Sequence, residues 1–418
     1  MSFFSTSAAR PVSAQAPTRG MGWSRFALLV LAIYTAMRGF SAGVLLWIAH
    51  TQQDPLIFSG ENSRYFDVAA QWDGQWYRRI AEEGYPSTLP VTDTGVIAQN
   101  EWAFYPLFPM ASRVLMTLTG WPFAVAAAVL ATVLGYAAAF VIAGLLREKV
   151  GSAAALGAVA LWASFPSAPV LQVAYTESLA LLLLGAALWL LVRRRWLWAA
   201  ALALLAGLAR PIALPLGLVA VVAIVQRLRH RKGDPISGFE AVGMVTSLLA
   251  CGVSGLIWPL LVWRYTGQPD GYPATMSAWR GGEPVAPFTP TLEVVRLVIG
   301  PHLGPWLLAI GITVLLIAVL GPWARGLGAE LRAWTLGYPL YLLAALQPWT
   351  SIYRYLLLMF PLFVVFIGAG WAAGDPRGRQ PQWLLAVRTV MLVALFLGWQ
   401  VWWTWELFMF VPPRDNPP

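Results

Sequence analysis

Three acidic residues stand where apolar stretches begin. Asp73 lies in QWDGQWYRRIAEEGYP (71–86), Glu101 in NEWAFYPLFP (100–109) and Glu177 in YTES (175–178). A carboxylate at such a boundary, within hydrogen-bond reach of a hydroxyl, can serve as a general base. Three arginines sit in equally unusual places. Arg38 is about 15 residues into an apolar run, roughly 22 Å along a helix. Arg210 occurs in GLARPIALP, where Pro211 interrupts the helix, and Arg354 in SIYRYLLLMFPLF. Guanidinium groups at the edge of an apolar region can grip a phosphate through forked hydrogen bonds. They can also stabilise a phosphate leaving group as its charge builds. Plainer roles stay open: each acid can cap a helix, and Arg354 can snorkel to lipid headgroups. Taken together, these side chains suit a lipid-linked phosphosugar, its tail between helices, its phosphate on arginine and its sugar in a loop.

The rest of the chain must hold those residues at a membrane. Of 418 residues, 58% are hydrophobic and 11% charged, against about 25% charged in soluble domains. Mean hydropathy is +0.64. These values exclude a soluble enzyme and a disordered chain. Apolar runs longer than 18 residues exclude the alternating strands of a membrane barrel. A net charge of +9 raises the question of nucleic acid, but the basic residues follow the membrane edges and form no single patch, so no nucleic-acid partner is expected. Cys251 is the only cysteine, so no intrachain disulfide can form. His50, His230 and His302 are scattered without zinc-ligand spacing, and no phosphate-loop or dinucleotide motif occurs. No cofactor is expected, and no essential metal ion.

Apolar runs at 23–48, 121–146, 151–171, 174–192, 196–209, 211–226, 240–263, 294–320, 331–347, 354–372 and 383–408 predict an all-α polytopic membrane protein of about eleven spans. Residues 1–22 read as a disordered cytoplasmic tail, 23–408 as one membrane-embedded domain and 409–418 as an outer tail. The long first outer loop, 49–120, is expected to carry interfacial helices. Charge bias decides its last part, 104–120. With eleven spans and the N-terminus inside, the inner loops hold 17 of 28 basic and 5 of 19 acidic residues, giving +12 inside and −3 elsewhere. A twelfth span would put Arg193–Arg195 outside, against the positive-inside rule. The segment 104–120 is therefore expected to lie along the outer surface.

At WDGQWYRRIAEEGYP (72–86), EWAFYPLFP (101–109), AYTESLALLLL (174–184), LARPIALPLG (208–217) and YRYLLLMFPLF (353–363) the chain resembles the type C (GT-C) glycosyltransferases. Within them it is similar to the class V family of the second mannosyltransferase of glycosylphosphatidylinositol synthesis and its bacterial relatives. The first two pieces in tandem are fairly specific, and the three apolar ones are weak singly. The resemblance implies a polyprenyl-phosphate-mannose donor, inverting transfer and catalysis on the non-cytoplasmic face. It maps the essential acid onto Asp73, with Glu101 as a partner that orients acceptor or base. Trp72, Trp76, Tyr77, Tyr175 and Glu177 become expected substrate contacts, and Arg210, Arg354 and Arg38 expected donor-phosphate ligands. Pro211 departs from the Asn or Gly common after the family's buried arginine. The arginine-rich, lysine-poor composition looks like that of a high-GC bacterial gene. The expected location is then a bacterial plasma membrane, and the expected acceptor a glycolipid, a cell-wall polymer or a protein. Two other readings stay open: a sibling transferase using a pentose or glucose donor, and a transporter or flippase of lipid-linked sugars. Transporters favour internal repeats and midplane sites, and neither is visible here; the cost of burying Arg38 and Arg210 argues against a mere scaffold.

Overall fold

The computed structural model describes residues 21–56, 63–282, 286–345, 350–378, 380–412 and 417–418. Most of the expected N-terminal tail, with Arg10 and Arg19, lies outside the described residues, as do Arg379 and part of the 409–418 tail. In chain order the helices are α1 (Trp23–Thr51), α2 (Tyr65–Ala69), α3 (Asp73–Glu82), α4 (Leu107–Thr119), α5 (Phe123–Val150), α6 (Ser152–Ala163), α7 (Glu177–Val192), α8 (Trp196–Ala209) and α9 (Ala213–Arg229). They continue as α10 (Gly238–Thr266), α11 (Gly271–Ala278), α12 (Thr289–Ile299), α13 (Leu303–Leu320), α14 (Gly328–Ala345), α15 (Ile352–Leu356), α16 (Leu362–Phe366) and α17 (Gln382–Phe408). Among the described residues there is no strand; Val91 and Ile97 form an isolated antiparallel bridge.

Among the described residues five helices, α1, α5, α10, α13 and α17, are long and apolar enough to cross a membrane. At 1.5 Å per residue, the 29 residues of α1 reach about 44 Å, beyond the ~30 Å hydrocarbon core. Most of the apolar surface of α13 and α17 faces outward with no protein cover, which is tolerable only in lipid. Three of the expected runs are not continuous helices. In 151–171, α6 stops at Ala163 before SFPSAP, and a 3₁₀ turn (Ala168–Gln172) follows. The run 294–320 breaks at Gly300–Pro301, between α12 and α13. The run 354–372 is α15, a 3₁₀ turn (Leu357–Met359) and α16, with Pro361 at the last joint. Proline removes a backbone donor at each break.

Packing relies on small residues, since lipid supplies no hydrophobic drive between helices. Ala127, Ala131, Ala138 and Ala139 form a buried stripe on α5. Helices α8 and α10 meet at Gly207, where an added Cβ would lie 2.6 Å from the backbone oxygen of Ser254. No larger residue fits there without parting the two helices.

Ion pairs mark one end of the bundle. Glu148 at the close of α5 pairs with Arg193 after α7, at 2.9 Å. Arg194 pairs with Asp234 (2.9 Å), Arg227 with Glu240 (2.6 Å), and Lys149 with Glu330 at the start of α14 (3.5 Å). Arg147 lies over the Trp23 ring and donates to the Met21 carbonyl, so α1 starts at this end too. We term it the basic end. The other end gathers α3, α4, the start of α7, the close of α8, α11, α15 and the close of α17. Helix α4, 13 residues and about 20 Å long, begins and ends there. Phe104 and Tyr105 before it share a cavity with Asp73, while Phe123 after it lines another with Arg78 and Glu82.

Candidate functional site

Helix α3 begins in an unusual way. Trp72, its N-cap residue, has φ +57° and ψ −115°. This region costs a bulky residue energy and persists only where the surroundings enforce it. Here the Trp72 indole donates to the Leu407 carbonyl at 2.9 Å and packs on Phe410. Asp73 follows as the first helical residue, a favourable place for a negative charge. It is not the cap: its carboxylate leaves the helix and meets Arg354.

The central feature is an alternating chain of four charges. Arg354 Nη1 donates to Asp73 Oδ2 at 2.7 Å and lies 3.3 Å from Glu177 Oε1. Arg210 Nη1 donates to the same Glu177 oxygen at 2.6 Å. Glu177 is 0% exposed, and among the described residues neither its buried Oε2 nor the buried Nε of Arg354 has a hydrogen-bond partner. The Arg354 guanidinium lies 4.9 Å from the centre of the Tyr175 ring, and that of Arg210 5.2 Å from Tyr355. Local sequence delivers each group. Arg210 is extended because it precedes Pro211 and ends α8; Glu177 opens α7 after the irregular stretch 164–176; Arg354 rides on the single turn of α15.

Asp73, Arg210 and Arg354 face a cavity of about 300 Å³. Its walls are aromatic: Tyr77, Phe104, Tyr105, Tyr272, Trp279, Tyr338, Tyr341 and Tyr355. Burial pushes the Tyr77 hydroxyl well above its ordinary range, and the Asp73 and Glu177 charges push it further. Tyr105 is raised by burial as well, and its hydroxyl sits 3.1 Å from that of Tyr272. Both phenols are thus protonated at neutral pH. Beside this chamber lies an apolar groove of about 330 Å³ between α12, α13, α14 and α15, lined by Val295, Ile299, Leu307 and Ile312 among others. The groove and the chamber share Leu342 and Tyr355.

The structure brings together five of the ten residues singled out from sequence. Asp73, Tyr77, Arg210 and Arg354 line the cavity, and Glu177 ties the arginines from beneath without lining it. Tyr175 is buried under Arg354 and packs on Phe408, so it supports the site from behind. Trp76 backs the wall, stacked on Phe104 (5.7 Å) and edge-on to Trp279 (5.0 Å). Trp72 anchors α3, as described. Glu101 is not among the lining residues; it lies 3.7 Å from Arg79 in a 3₁₀ turn (Glu101–Ala103) capped by Asn100, and its motif reaches the cavity through Phe104 and Tyr105.

Arg38 is placed elsewhere. It donates to the carbonyls of Ala163 (2.7 Å) and Ala168 and approaches Gln172. Ala163 ends α6, where its oxygen has no further helical donor, and Ala168 opens the 3₁₀ turn that follows, so this guanidinium bridges the break in the helix and is not beside the other two. Sequence reasoning missed Tyr105, Tyr272, Trp279, Tyr338, Tyr341 and Tyr355, because tyrosine and tryptophan near span ends read as membrane-interface anchors. Among the described residues no group of three or more His, Cys, Asp or Glu side chains could hold a metal ion. A comparison with known protein families finds no model that matches the chain, and a comparison with curated proteins finds no match.

Proposed function

We propose that the chain is a membrane-embedded glycosyltransferase of the GT-C kind. It moves mannose from polyprenyl-phosphate-mannose to an acceptor hydroxyl on a glycolipid, a cell-wall polymer or a protein, with inversion. One observation carries the reading: a carboxylate and two guanidinium groups meet on an aromatic-walled chamber that lies beside an apolar groove and shares Leu342 and Tyr355 with it. Aromatic faces suit the C–H surface of a sugar ring. The groove suits an isoprenoid tail, and Arg354 and Arg210 suit the phosphate between them.

In the proposed step Asp73 accepts the proton of the acceptor hydroxyl as that oxygen bonds to the anomeric carbon. The bond from the same carbon to the phosphate oxygen breaks, and the electron pair leaves with the lipid phosphate. Its added negative charge falls on Arg354 and Arg210, held by Glu177. The protein residues supply acid–base chemistry and charge stabilisation without a nucleotide.

The same reading has eleven traverses, the cavity end on the non-cytoplasmic face and the N-terminus in the cytoplasm. It is supported by the gathering of Arg147, Lys149, Arg193, Arg194 and Arg227 at one end, as the positive-inside rule asks. It is supported too by α4, whose two ends lie at the cavity end. The direct test supplies radiolabelled polyprenyl-phosphate-mannose to membranes carrying the protein. Label should pass to an acceptor, and Asp73→Asn should stop it. Undiminished transfer by Asp73→Asn would remove the base from the scheme; transfer from a pentose or glucose donor alone would replace the sugar.

A further inference from the structure

The phosphate-capable arginine is already occupied. Arg354 Nη1 contacts two carboxylates, Asp73 Oδ2 at 2.7 Å and Glu177 Oε1 at 3.3 Å. They differ in access. Glu177 is sealed beneath the chamber, its side chain 1% exposed, whereas Asp73 lines the chamber with 23% of its side chain exposed. An anion arriving in the chamber can therefore displace only one of the two. The charges favour the exchange: Asp73, Glu177, Arg354 and Arg210 sum to zero, so the site without ligand has no excess positive charge for a phosphate.

We propose that the Asp73–Arg354 ion pair is a latch that a lipid phosphate must open. The Asp73 carboxylate stands where the ligand's phosphate will sit, and it holds the site closed to anions until one with an apolar tail competes for Arg354. Glu177 keeps both guanidinium groups in place throughout. Displaced from Arg354, Asp73 is free to take the acceptor's proton. Donor binding and readiness of the base are then one event, which imposes an order: donor first, acceptor second. The inference rests on the lipid-phosphate reading above and adds how that site is regulated.

A consequence separates the latch from ordinary substrate contacts. Removing the Asp73 carboxylate should tighten binding. The probe is farnesyl phosphate, titrated calorimetrically into the detergent-solubilised full chain, with farnesol as the control for the tail alone. Asp73→Asn should bind farnesyl phosphate about tenfold more tightly than wild type, the scale of one charge-assisted hydrogen bond returned to the ligand. Farnesol binding should not change, and Arg354→Ala should weaken farnesyl phosphate at least about tenfold. Equal or weaker binding by folded Asp73→Asn overturns the latch, while Arg354-dependent binding by wild type would leave the phosphate reading intact. No Arg354-dependent binding in either protein overturns both. A tightened Asp73→Asn alongside wild-type protein that transfers no mannose keeps the latch and removes the sugar assignment. Should Asp73→Asn not fold, the wild-type structure with farnesyl phosphate decides: the Asp73–Arg354 contact must open beyond 4 Å, the limit of an ion pair, and a pair still closed with phosphate bound refutes the proposal.

Discussion

Both ends of the bundle carry a buried arginine paired with glutamate, yet the two pairs differ in how fully the arginine is used. At the basic end Arg227 gives Nε and Nη2 to Glu240 (2.6 and 2.8 Å) and Nη1 and Nη2 to the carbonyls of Asp234 and Pro235. At the cavity end Arg354 has an unpartnered buried Nε, and Arg210 has one carboxylate contact, through Nη1. A saturated guanidinium is a strut, because it has nothing left to offer a ligand. An unsaturated one that lines a cavity can trade its contact for a ligand's. Burial alone does not separate the two: Arg38 is buried and has an Nε unpartnered among the described residues, but it lines neither the chamber nor the groove and serves the carbonyls on either side of a helix break.

The contrast can be broken by substitution. The largest effect is expected from Asp73→Ala, which should lower transfer by up to about 10⁴-fold, the upper range for a general base, with the melting temperature near that of wild type. A parallel collapse of thermal stability would make Asp73 a structural residue. Next is Glu177→Gln, which leaves two buried guanidinium groups short of a counter-charge. It should cost about 3–5 kcal/mol of stability, read by thermal or denaturant unfolding in detergent, and should raise KM for the donor. Arg354→Ala should reduce kcat about 10²–10³-fold, the loss for one donor that stabilises a developing anion. Arg227→Ala, its counterpart at the basic end, should lower the melting temperature and leave turnover per folded molecule unchanged. The smallest effect belongs to Arg193→Ala. Its pair with Glu148 is half exposed, so stability should change by less than about 1 kcal/mol; a larger change would mean the basic end depends on more than burial and saturation.

Residue type and helix period were enough to read the membrane class and the bounds of α1, α5, α10 and α17, because long apolar runs have one solution in lipid. The same runs hid the breaks at Ser164–Pro166, Gly300–Pro301 and Pro361, where hydropathy stays high while the backbone turns. The site was legible as ingredients. Asp73, Glu177, Arg210 and Arg354 are conspicuous as charges at apolar edges, but Asp73 and Arg354 are 281 positions apart and nothing in spacing pairs them. Arg38 shows the converse. An arginine deep in an apolar run can serve a phosphate or unpaired carbonyls, and the clue for the second was SFPSAP, a stretch certain to interrupt a helix and strand its oxygens. The aromatic wall was invisible for a different reason. Tyr272 comes from α11, Tyr338 and Tyr341 from α14, and only folding sets them around one chamber.

Trp72 carries a consequence for the far end of the chain. A tryptophan kept in left-handed backbone by the Leu407 carbonyl makes the last helix a gauge for where α3 may start. The aspartate next door inherits that setting. In the proposed reaction residues 407–410 would thus help to set where the proton acceptor stands, and damage there should be felt as a displaced Asp73 in a molecule that otherwise stands.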